Sequence, residues 1–74
     1  MRYIIMGGIM EYMAHLHCEA ASEKDALEQW EKAFPTCPVA TFQPKVSPAI
    51  GDLERHYVKG HRYYSGGYRY KYWQ

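Results

Sequence analysis

Apolar and polar positions alternate from Tyr12 to Ala20. Tyr12, Ala14, Leu16, Cys18 and Ala20 fall on one side, and Met13, His15, His17 and Glu19 on the other. A period of two marks a strand with one face on a core, and the Leu16/Cys18 side is the face to bury. A second apolar run, Tyr3 to Met6, precedes it across Gly7-Gly8. A glycine pair supplies the positive φ values that a two-residue turn demands. The two runs therefore predict a hairpin in which Met6 pairs with Ile9, Ile5 with Met10 and Tyr3 with Tyr12.

The period then changes. Ala26, Leu27, Trp30, Ala33 and Phe34 recur at three- and four-residue steps, opposite Lys24, Glu28, Glu31 and Lys32. That is the stripe of an amphipathic helix, with Glu28 and Lys32 at a favourable spacing on its wet side. Ser22 is placed to cap the first turn, and Glu23 and Asp25 complement the positive end of its dipole. Pro35 stops the helix by restricting Phe34 and removing a donor. Trp30 and Phe34 are expected to pack on Leu16 and Cys18.

Within Thr36 to Lys45, the segment VATFQ lies between Pro38 and Pro44 and reads as a short edge strand. Ser47-Pro48 reads as the start of a short helix or turn over 48–56, with Ile50, Leu53 and Tyr57 on one face. The chain closes with a second hairpin across Gly66-Gly67. A two-residue turn there puts His61, Tyr63, Tyr68, Tyr70 and Tyr72 on one side, as an aromatic face able to close the core. Arg62, Tyr64, Arg69, Lys71 and Trp73 take the other. Arg62 would then oppose Lys71, a like-charge pair that a three-residue turn over 65–67 avoids. Both registers keep Arg69, Lys71 and Trp73 on one face. The expected fold is α+β, in the order β-β-α-β-(short helix)-β-β: a small antiparallel sheet with one amphipathic helix packed on one face. It forms a single compact domain over residues 1–74.

Composition narrows the function. At 74 residues the chain is short for walling an active-site cleft, which favours a binding module over an enzyme. A 47% hydrophobic content argues against disorder. No segment has the order of a signal peptide, and the apolar run YIIMGGIM is too short to span a bilayer. Cys18 and Cys37 are too few for a disulfide framework and read as reduced thiols, with a single bridge between them as the alternative. The expected setting is the cytoplasm, with no membrane contact. All four methionines lie within the first thirteen positions, so Met10 and Met13 are alternative translation starts that would make the first nine residues dispensable.

The net charge of +1 hides a strong asymmetry. The last twenty residues hold Arg55, Lys59, Arg62, Arg69 and Lys71 against no acid, a balance of +5, whereas residues 1–54 balance to −4. From Lys59 to Gln74 the chain has no aliphatic residue. Tyr, Trp and Arg are enriched at binding hot spots, and locally uncompensated positive charge suits an anionic partner. Arg62, Tyr64, Arg69, Lys71 and Trp73 are therefore the candidate partner-binding residues, for a protein with an acidic surface. Single-stranded nucleic acid, stacked on the same rings, is the alternative partner. The acidic remainder of the chain weighs toward protein. Edge strands at both ends of the sheet allow homodimerisation by strand pairing.

Metal and catalytic readings are weaker. His15 and His17 project from one strand face, and His56 and His61 have a zinc-finger-like spacing nineteen residues after Cys37. No paired C-x-x-C accompanies them, so no metal or other cofactor is expected. No catalytic motif is present, and the remaining enzymatic option is a small metal-independent ribonuclease. It would use His56 or His61 as base and Arg62 or Arg69 on the phosphorane. In size and style, though in no specific residue, the chain is similar to small phage-encoded accessory proteins, which act by occupying a partner's surface.

Overall fold

The structure, a computed structural model, describes residues 1–65. Strands β1 (Arg2–Ile9) and β2 (Tyr12–Glu19) form a hairpin, followed by helix α1 (Glu23–Ala33). A four-residue helix α2 (Val39–Phe42), strand β3 (Lys45–Pro48), a 3-10 segment (Gly51–His56) and strand β4 (Arg62–Ser65) complete the described chain. The strands make one antiparallel sheet in the order β3-β1-β2-β4. The fold is α+β, as the period change from two to 3.6 implies. No helix among the described residues is long and apolar enough to cross a membrane.

The hairpin forms, but its turn is not at the glycines. Ile9 pairs with Tyr12 across Met10-Glu11, so Met6 faces His15 and Tyr3 faces Cys18. Met10 takes the positive φ, at 57°. The glycines lie inside β1 for a different reason. A Cβ on Gly7 would sit 2.9 Å from Pro44 Cα, and one on Gly8 2.7 Å from the Tyr12 carbonyl oxygen. They allow close backbone approach rather than a reversal. The partner of Met6 moves six positions along β2, an even number, so each residue keeps the face expected of it.

The core therefore assembles as the alternation dictates. Tyr3, Ile5, Ala14, Leu16, Cys18 and Ala20 from the sheet cluster with Ala26, Trp30 and Phe34 from α1 and with Cys37 and Phe42. Trp30 is fully buried and its Nε1 donates to the Cys37 carbonyl at 2.8 Å, which satisfies the one polar atom of the ring. Ser22 Oγ accepts from Asp25 N at 3.1 Å, and the Asp25 carboxylate accepts from Ala21 N at 2.9 Å. Ser22 thus caps the N-terminus of α1, and the Asp25 side chain reaches back to the residue before the cap. Cys18 and Cys37 are both buried free thiols.

Two further expectations are corrected. VATFQ is not a strand: Val39–Phe42 is helical, started after Pro38 and ended by Gln43 in the left-handed region at φ 47°. The helical turn lets Phe42 enter the core, where a tertiary contact overrides β propensity. The edge strand falls instead at Lys45–Pro48, so Ser47-Pro48 belongs to β3 and not to a helix start. The helical segment begins after it at Gly51, and Ile50 and Leu53 are exposed rather than packed. Strand β1 lies between β3 and β2 and buries Tyr3, Ile4 and Ile5, so the first nine residues, whose role the sequence leaves open, are integral to the sheet.

Candidate functional site

Of the predicted contact residues, Arg62 and Tyr64 are described, and Arg69, Lys71 and Trp73 lie outside the described residues, as does the hairpin at Gly66-Gly67. Strand β4 pairs with β2 so that Arg62 faces Leu16, Tyr63 faces His15 and Tyr64 faces Ala14. Residues directly opposite share a face, so Arg62 and Tyr64 stand on the α1 side of the sheet. The Tyr64 ring lies 6.5 Å from Phe34 and is 45% exposed. The expected division of side chains along β4 holds, but its orientation is reversed. The Tyr63 side, expected to close the core, looks away from α1. The Arg62/Tyr64 side borders the core at the sheet edge.

Arg62 lines a groove of about 640 Å³ between α1 and the β2–β4 edge. Leu16, Cys18 and Ala33 supply its apolar part, while Gln29, Lys32 and Arg62 supply its polar groups, with no carboxylate among the described lining residues. The groove exists because β4 begins at Arg62 and, among the described residues, leaves the end of β2 without a strand partner on that side. Gln29 covers part of that edge, its Nε2 donating to the Glu19 carbonyl at 2.8 Å. Burial pushes the Cys18 thiol up, with Asp25 adding to the shift, so it stays protonated and acts as an apolar wall. Lys32 reads in sequence only as part of the wet face of a helix, and Gln29 carries no sequence signal as a site residue.

On the opposite sheet face three imidazoles meet. The His17 and His61 rings are 4.5 Å apart, and His15 and His61 are 6.3 Å apart. Tyr63 lies 5.4 Å from His15, and Tyr57 stacks on His17 at 5.6 Å with the Arg2 guanidinium 5.2 Å from the tyrosine ring. His17 Nδ1 accepts the Val58 N–H at 2.9 Å. Burial lowers the pKa of both His15 and His17, and the nearby His61 lowers it further. The His15/His17 alternation gave the signal for two members of this cluster. The third arrives only through the pairing of β4.

Among the described residues no three His, Cys, Asp or Glu side chains are placed to hold a metal ion. Cys37 is enclosed with Trp30 in the core, apart from the exposed His56 of the 3-10 segment. His61 joins the imidazole cluster while its neighbour Arg62 lines the groove on the other side, so these two side chains do not converge, and Arg69 lies outside the described residues. Comparison with protein-family models, curated proteins and solved structures finds no match to this chain.

Proposed function

We propose that the protein is a non-enzymatic protein-interaction module that docks an acidic surface of a partner protein along the groove between α1 and β4. Arg62 and Tyr64 are its described contacts, with Lys32 beside them, and Arg69, Lys71 and Trp73 follow β4 in sequence as further ones. The observation that carries this reading is the groove: two cations, Lys32 and Arg62, flank apolar ground with no carboxylate among the described lining residues. An acidic side chain entering there meets charge-assisted donors, while its neighbours bury apolar area. The acidic balance of residues 1–54 repels nucleic acid and other polyanions elsewhere on the molecule, a source of selectivity.

The mode is surface occupation, of the kind an accessory or inhibitor protein uses, in the cytoplasm where Cys18 and Cys37 stay reduced. Homodimerisation would use an edge strand of the sheet; β3, one edge among the described residues, follows Pro44 and ends in Pro48, which limits its pairing. Affinity capture from the source cell tests the reading. Wild type is run beside a Lys32→Glu/Arg62→Glu variant and an Arg69→Ala/Lys71→Ala/Trp73→Ala variant. A partner lost by both folded variants supports it, and the same partners retrieved by both overturn it. Tight binding to mixed single-stranded oligonucleotides, falling linearly in log salt, would assign the surface to nucleic acid instead.

A further inference from the structure

We infer that the tip of the β1–β2 hairpin is a site for a soft monovalent metal ion, Cu(I), held by the thioethers of Met6, Met10 and Met13 and the imidazole of His15. All four side chains line one cavity of about 360 Å³. The observed register creates this group: Met6 lies directly opposite His15, and Met13 precedes His15 by two positions on the same face of β2. Met10 closes the set from the turn.

Each member is otherwise hard to explain. Met10 holds a positive φ of 57° and is 91% exposed, at a turn position that ordinarily takes Gly, Asn or Asp. Met6 is 50% exposed and Met13 is 46% exposed, so neither serves the core. His15 Nε2 is buried with no hydrogen-bond partner among the described residues.

The ligand chemistry selects the ion. Thioethers are soft, uncharged donors that favour Cu(I) over hard divalent cations. Three of them with one imidazole bring no negative charge, which suits a monovalent ion. Methionine has three rotatable bonds and no branch, so the side chains can close on an ion without moving the strands. The site is independent of the groove beside α1, which opens on the other side of the sheet.

The test uses the full chain, labelled with methyl-¹³C methionine, reduced and kept anaerobic. Cu(I) is supplied as its acetonitrile complex, with Ag(I) as a redox-inert counterpart. One equivalent of either ion is expected to shift the methyl resonances of Met6, Met10 and Met13 and leave that of Met1 in place. Zn(II) should move none of them. A Met6→Leu/Met10→Leu/Met13→Leu variant conserves volume. It should lose Cu(I) affinity against a bicinchoninate competitor by at least about 100-fold, since even outer partners of a metal are worth about 10–100-fold. The inference is overturned if the three resonances stay still, or if Met1 moves with them. It also fails if the folded variant binds as tightly as wild type, which would place the ion on Cys18 or Cys37. Should the variant not fold, the wild-type methyl shifts alone decide.

Discussion

His17 ties the sheet to the chain that leaves it. Its Nδ1 accepts from Val58 N, its backbone N–H donates to the His61 carbonyl at 3.0 Å, and its ring stacks on Tyr57. A proton on Nδ1 removes the first bond and sets a positive ring against His61 and His15. Both His15 and His17 have folded pKa values below the ordinary 6.5, through burial and the neighbouring His61. The unfolded chain therefore binds protons before the folded one does. The stabilisation is complete above about pH 6.5 and is lost as pH falls through the lowered folded values. Urea midpoints measured from about pH 8 to about pH 5 should fall, and should fall less in a His15→Gln/His17→Gln variant; equal slopes would refute this. Gly7 offers a second test. Its missing Cβ leaves room for the Pro44 backbone 2.9 Å away and the Phe42 carbonyl 3.1 Å away, neither of which is a free side-chain end. Gly7→Ala should cost about 1–3 kcal/mol in chemical denaturation.

At the scale of the element, α1 was legible because every local signal agrees: cap, stripe, dipole complement and proline stop. Ser22→Ala should cost about 1 kcal/mol, while Ser22→Asp should restore the cap, as thermal melts would show. Strand β2 was equally plain, since one face is buried and the alternation carries that demand. Where local and tertiary demands diverge, the local reading failed. Gly7-Gly8 has the chemistry of a turn, yet the glycines are needed where β1 passes Pro44 and the Tyr12 carbonyl. VATFQ has strand composition, yet the helical turn delivers Phe42 to the core. Strand β1 supplies a last test at this scale. A chain beginning at Met10 lacks Tyr3, Ile4 and Ile5 and the middle of the sheet, so it should show no cooperative unfolding transition. A folded product would contradict the observed strand order.

Across the whole molecule, the charge asymmetry becomes meaningful through where α1 and β4 meet. Lys32 belongs to the acidic part of the chain and Arg62 to the basic part, yet both face one groove. Reversing the pair should cost no more than about 1–2 kcal/mol, from the lost Glu28–Lys32 pairing and an acid in the last turn of α1, because neither side chain serves the core. Partner capture should nevertheless be lost, and calorimetry beside affinity capture separates the two effects. The sequence alone determined the α+β class, the faces of β2, the helix with both its ends, and the tract rich in cations and rings. Each follows from local periodicity or from the chemistry of neighbouring residues. Only the tertiary structure decided the hairpin register, which side of the sheet receives Arg62 and Tyr64, and the meeting of His61 with His15 and His17. The gathering of three methionines with one imidazole was decided in the same way. Pairing between strands distant in sequence is set by steric fit at a few close approaches, and a one-dimensional pattern does not record where those occur.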